Sequence, residues 1–213
     1  IPLSTGKPYK KIADEIELND IRQKYNIPMD KKYIFSLCSL NPRKNLIFSI
    51  RNFLKFVEKN NLDDFVFVLG GAYFDDFREV FNDKLKEFGN IEDKILQIGY
   101  VDDEDLSALY SGAEMFLFMS LYEGFGMPVL EAMNCGLPVI CSNCTSIPEV
   151  IGDCGIQVNP HSDEEMVSAL EKMYFDREFR NSCVEKGIER AKLFTWEKCA
   201  DIIDNKITEA AHV

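Results

Sequence analysis

From Tyr33 onward the chain keeps one rhythm, a short apolar run followed by a longer amphipathic stretch. Runs at 33–38, 65–69, 95–98, 115–119 and 138–141, with a weaker one at 155–158, are rich in Phe, Val, Ile and Leu. They barely alternate between apolar and polar residues, as expected of strands covered on both faces. Between them lie helical patterns at 45–59, 75–87, 103–111 and 128–135. Strands alternating with helices predict an α/β fold, a doubly wound, Rossmann-like parallel sheet of about six strands with right-handed crossovers.

After Asn159-Pro160 the rhythm stops and helices take over. Residues 162–175 place Met166, Leu170 and Met173 on one side, and a last pattern opens at Thr195 as N-cap and repeats at Trp196, Ala200, Ile203 and Ile207. The expected organisation is a linker and short helix at 1–31, one α/β domain at 32–195 and a closing helix at 196–213. A chain of 213 residues suits one large domain with an ample core. Its formal charge of −12 gives no electrostatic footprint for nucleic acid. The longest apolar stretch, 115–121, is far short of a membrane span. The start shows neither a signal-peptide pattern nor an initiator Met, so a fragment of a longer protein is expected. Seven Cys scattered in apolar runs, with one C-x-x-C at Cys141 and Cys144 and only two His, read as inert thiols in a reducing, cytoplasmic compartment.

Ligands of such sheets sit beyond the carboxyl ends of the strands. The loops that follow the runs, at 39–44, 70–74, 99–103, 120–127 and 142–148, are therefore where chemistry is expected. The fourth is the most informative. Gly124 and Gly126 let a ligand approach the backbone, and Pro128 suits the first turn of a helix. Free amides at that helix start favour an anion, phosphate above all. Glu123 and Glu131 flank the turn and are suited to the hydroxyls of a sugar or ribose; the blander reading is a solvated loop carboxylate and a helix-dipole carboxylate. Arg43 and Lys44, just before a helix, suit phosphoryl oxygens, with surface charge as the alternative. Gly70-Gly71 reads either as a tight turn or as room for a sugar.

Arg43-Lys44-Asn45, the E-x(7)-E element from Glu123 to Glu131, Gly136-Leu137-Pro138-Val139-Ile140 and Ser146-Ile147-Pro148-Glu149-Val150 together resemble the nucleotide-sugar-binding half of family-4 retaining glycosyltransferases. The resemblance runs from about Ile21 to Ile203 and implies one half of a GT-B enzyme, two Rossmann-like domains facing across a cleft. It implies that Arg43 and Lys44 hold the donor diphosphate and offset charge on the leaving nucleotide. Glu123 would contact the donor sugar and serve transfer. Gly124, Phe125, Gly126 and Met127 would present amides to sugar and phosphates, and Glu131 would hold the ribose diol. Tyr100 and Val101 would line the base, with Leu106 as a nearby apolar contact. Many members carry Gly-Arg shortly before the Lys, whereas Cys38-Ser39 stands here, leaving the phosphate grip to Arg43 and Lys44.

The reaction implied is hexose transfer from a nucleoside-diphosphate sugar to a glycan or lipid-linked acceptor with the anomeric configuration kept. No cofactor or metal is expected, which agrees with the lack of a D-x-D element in a suitable loop and of clustered His. The acceptor half is expected to precede this one, so the fragment alone should transfer sugar poorly or not at all. GDP-mannose is favoured over a UDP-sugar, and the full-length enzyme is expected in the cytoplasm, with the inner membrane face as a peripheral location. Two other readings stand beside this: a non-catalytic nucleotide-sugar sensor, and a dinucleotide oxidoreductase. The oxidoreductase is disfavoured because Val129 stands where the third glycine belongs.

Overall fold

The computed structural model describes residues 3–72 and 75–211, so residues 73 and 74 of the second loop and the extreme ends of the outer segments lie outside the described residues. Six strands form one sheet: β1 (Lys32–Leu37), β2 (Phe65–Gly70), β3 (Ile95–Gly99), β4 (Met115–Phe118), β5 (Val139–Ser142) and β6 (Ile156–Val158). They are ordered β3-β2-β1-β4-β5-β6, and every pairing is parallel. The expected doubly wound sheet is what the chain builds.

Although the runs look uniformly apolar, their side chains divide by strand period into two cores. Tyr33, Phe35, Val66, Val68, Phe116 and Phe118 pack on one face, and Ile34, Phe65, Phe67, Leu69, Met115 and Leu117 on the other. Both faces are covered by helices, which is why neither subset can be polar. The helices are α1 (Glu15–Lys24), α2 (Leu46–Lys59), α3 (Asp75–Lys86), α4 (Leu106–Ser111), α5 (Met127–Asn134), α6 (Ile147–Ile151), α7 (Asp163–Phe175), α8 (Arg177–Ala191) and α9 (Trp196–Ala211). Two of these, α6 and α8, have no counterpart among the sequence patterns. The Thr195 hydroxyl accepts from the Lys198 amide at 3.2 Å, the N-cap expected of it. In α9, Trp196, Ile203 and Ile207 lie exposed.

Asp163, at the start of α7, fastens that helix to α2. It accepts from Arg51 at 2.7 Å, Lys55 at 2.7 Å and the buried Asn52 amide at 2.9 Å. Burial pushes its carboxyl up, but Lys55, Asn52 and Arg51 outweigh this and hold it well below the usual carboxylate range. A depressed carboxylate contributes stability above its unfolded pKa and loses it as pH falls through the folded value. Asp163→Asn keeps an acceptor for Asn52 and removes the charge. We expect it to lower stability at pH 7 by about 1 kcal/mol, given the partial exposure of the group. Urea titrations should show that difference shrinking as the pH is taken below 4.

Candidate functional site

The strand order reverses between β1 and β4, and the loops leaving these neighbouring strands part at that point. Such a switch point opens a crevice at the carboxyl edge of the sheet. The loop after β1 contributes a single 3-10 turn, Pro42–Lys44, capped by Asn41, whose side chain accepts from the Arg43 amide at 3.0 Å. The loop after β4 joins it directly, the Leu121 amide donating to the Arg43 carbonyl at 2.7 Å. Arg43, Lys44 and Glu123, from distant parts of the sequence, are thereby brought together.

Lys44 is 9% exposed, and its Nζ lies 2.5 Å from Glu123 Oε1 and 5.1 Å from the centre of the Phe118 ring. Arg43 Nη1 is 2.9 Å from the Tyr122 carbonyl and 3.2 Å from Glu123 Oε2. Burial pushes the Glu123 carboxyl up, but Lys44 and Arg43 prevail and hold it below the usual range. Its backbone is pinned too. The Glu123 amide donates to Thr145 Oγ1 at 3.1 Å, and Ser146 Oγ donates to the Glu123 carbonyl at 3.0 Å. The two cations thus arrive already partnered, and the triad keeps one net positive charge.

Gly126 caps α5 with φ 105°, a left-handed conformation that favours glycine, and Pro128 follows in the first turn as expected. Among the described residues the amides of Gly126 and Met127 meet no protein acceptor. Space beside Gly124 is open, since an added Cβ would meet nothing within 4 Å. The Phe125 ring packs against Phe194 at 5.7 Å between centres, so its side chain serves the fold while its backbone faces the crevice edge.

Glu131 projects from α5 toward α4. It is 9% exposed, and the Tyr110 hydroxyl donates to its Oε2 at 2.9 Å. The Tyr9 and Tyr110 rings meet edge to face at 6.2 Å, which brings Tyr9 into the same neighbourhood. Burial pushes the Glu131 carboxyl up against the opposing effect of both phenols. Sequence reasoning missed this pair: Tyr110 sat in an apolar helical pattern that reads as core, and Tyr9 in a stretch without periodicity.

Gly70 and Gly71 answer to the protein itself. A Cβ on Gly70 would lie 3.0 Å from Val101 Cγ2, and one on Gly71 would lie 2.2 Å from the Cys38 carbonyl oxygen. Close packing of side chains accounts for Gly70, and a tight turn at φ 133° accounts for Gly71. Val101 and Leu106 are buried in the core, so they have main chain rather than side chain to offer a ligand. Tyr100, in contrast, is 69% exposed at the rim. The seven cysteines are free, and burial pushes the Cys38 thiol up to about 11 and that of Cys135 to about 12. Among the described residues no group of three or more His, Cys, Asp or Glu is arranged to hold a metal ion, and no helix is long and apolar enough to cross a membrane. A cavity of about 680 Å³ lined by Lys11, Lys32, Glu114 and Arg180 lies at the amino ends of the strands, away from this crevice.

The sequence model of the family described as "Glycosyl transferases group 1" matches residues 18–190. The chain belongs to this family. Among curated relatives of this group 1 glycosyl transferase, the O-antigen chain mannosyltransferase B of Escherichia coli is 45% identical over 116 residues, 54% of this chain and 30% of that protein. Among solved structures, sucrose-phosphate synthase from Thermosynechococcus elongatus superposes on all of the chain with a TM-score of 0.80 at 24% identity, the chain covering 52% of it. The C-terminal domain of a group 1 glycosyl transferase from Francisella tularensis matches with a TM-score of 0.72 at 19% identity, over 87% of this chain and 95% of that one. The chain therefore spans less than a third of its curated relative and about half of the synthase. Its architecture is the Rossmann-like unit of the GT-B fold.

Proposed function

We propose that this unit is the donor-binding part of a family-4 retaining glycosyltransferase that moves a hexose, mannose by preference, from a nucleoside-diphosphate sugar to a glycan or lipid-linked acceptor. The observation that carries the reading is the meeting of Arg43, Lys44 and Glu123 with the open start of α5 at the switch point. That combination offers two cations and unpartnered amides to a pyrophosphate, beside a carboxylate for sugar hydroxyls. The mannose preference leans on the mannosyltransferase relative.

In the reaction the bond from the anomeric carbon to the diphosphate oxygen breaks, and its electron pair leaves on that oxygen. The acceptor hydroxyl adds to the same face, and its proton passes to the departing phosphate. Charge accumulates on the diphosphate, so fixed cations and amides that need no reorganisation stabilise the transition state. Lys44 and Arg43 take that part. Glu123 holds them in position through its two ion pairs and turns toward the donor sugar when phosphate displaces it. Glu131 accepts from the ribose diol. Because the cations are fixed by the fold, donor binding needs no divalent metal. The chain spans less than a third of the mannosyltransferase relative; on this reading the acceptor is bound by a further part of the enzyme, and this unit alone binds donor without transferring it.

Calorimetry with GDP, UDP and ADP on this chain tests the reading. Binding of GDP tighter than the other two, unchanged by EDTA, is expected, and failure of all three to bind would refute it.

A further inference from the structure

Four non-glycine residues among those described adopt positive φ, and three of them are asparagines, which tolerate a left-handed backbone. The fourth is Thr145, at φ 53° in the loop between β5 and α6. A β-branched residue in that region is strained, and such strain persists only where its surroundings impose it. The next residue breaks a local rule as well. Ser146 is the N-cap of α6, yet its hydroxyl makes no cap bond. Both hydroxyls go instead to one residue of the loop after β4. Thr145 Oγ1 accepts from the Glu123 amide at 3.1 Å, and Ser146 Oγ donates to the Glu123 carbonyl at 3.0 Å.

Successive side chains of an extended segment point to opposite sides, so two consecutive hydroxyls do not ordinarily reach the same residue. The left-handed turn at Thr145 removes that alternation. Resting on the donor-site reading above, we infer that Thr145 and Ser146 are positioning residues, gripping Glu123 by both ends of its backbone so that its carboxylate meets Lys44 and Arg43. The strain at Thr145 is carried for that purpose. Glu123 is followed by Gly124, which has open space where a side chain would stand, so packing does not fix the loop on that side. The two hydroxyls supply what packing does not. The same grip sets where the carboxylate stands when it turns to the donor sugar.

The test uses this chain with Thr145→Gly, which relieves the strain and removes the hydroxyl, Thr145→Ser, which keeps the hydroxyl, and Ser146→Ala. Because relief of strain offsets the lost bond, Thr145→Gly should melt within about 2 °C of the unaltered chain. Its Glu123 carboxyl, followed by NMR titration, should nevertheless titrate about half a pH unit higher, as the ion pairs with Lys44 and Arg43 loosen. In calorimetry GDP-mannose should weaken about fivefold relative to GDP, the loss falling on the sugar. Ser146→Ala should show the same two changes, and Thr145→Ser neither. If the carboxyl or the affinity ratio stays put in both Thr145→Gly and Ser146→Ala, the positioning role is overturned and the donor site stands. If the unaltered chain binds neither GDP nor GDP-mannose, the donor-site reading itself falls, and the role of Thr145 and Ser146 falls with it.

Discussion

If the proposed donor site is right, replacing Lys44 with alanine should abolish measurable nucleotide binding by this chain and reduce sugar transfer by an enzyme that contains this unit about 10²- to 10³-fold, the scale on which one preorganised charge-stabilising group acts. The ammonium is nearly enclosed and lies 2.5 Å from Glu123, with the Phe118 ring beneath it. A surface lysine could be lost with little effect, but this one leaves a half-buried carboxylate with only the more exposed Arg43 for a partner. That loss should also lower folded stability by about 1–3 kcal/mol. Its pH dependence identifies the cause. In the unaltered chain Glu123 is held below the usual range, so its contribution is present above the unfolded pKa and fades as pH falls through the folded one. Without Lys44, burial dominates, the folded pKa rises, and the same carboxyl favours the folded state at low pH. The stability deficit of Lys44→Ala should therefore be largest near neutrality and close toward pH 4. Chemical denaturation at several pH values checks the sign. A uniform deficit would mean that the ammonium matters only for packing.

Gly71→Ala is expected to have the largest effect on folding. Gly71 adopts φ 133°, which L side chains rarely enter, and its missing Cβ leaves room for the Cys38 carbonyl oxygen, only 2.2 Å from where that atom would stand. Backbone oxygen cannot move aside as a flexible side chain can. Strain and clash together should destabilise the chain by about 3 kcal/mol or more. Cys38 directly follows β1 on the way into the Arg43–Lys44 turn, so a displaced carbonyl there also shifts the cations. Gly124→Ala is the matched control, because nothing stands within 4 Å of its added methyl. It should leave the melting temperature within about 2 °C of the unaltered chain. Equal melting temperatures for both variants would contradict the packing described around Gly71.

Much of this architecture could be read from pattern alone, because it depends on long-range burial of the kind that sequence displays. Strands β1, β2 and β4 lie between two helical layers and must be apolar throughout, which made them stand out. Helix α8 was invisible for the opposite reason. Its buried positions are Cys183, Gly187 and Ala191, a four-residue spacing of small side chains rather than a stripe of large apolar ones. Those small residues let it approach α5, where Met133 fills the space that a Cβ on Gly187 would take. Helix α6 is only five residues long and contains Pro148, too short for any period to declare itself. At the site, Arg43, Lys44, Glu123 and Glu131 were legible because charge beside glycine and proline at strand ends is unusual. The ion pairs joining the first three were not, since residues 79 apart in sequence are brought together only by the order of the strands. Nor were the phenols around Glu131, because tyrosine in an apolar stretch looks the same whether or not its hydroxyl has work.

Trp196 is the one tryptophan in the chain, half-exposed at the start of α9 and donating its indole N–H to the Thr5 carbonyl. The molecule thus carries a built-in optical probe at the point where its first residues meet its last helix. Detachment there hands the indole N–H to water, which should shift its emission to longer wavelength without any label. A nucleotide titration followed by intrinsic fluorescence can then report whether that junction opens, and stopped flow can time it.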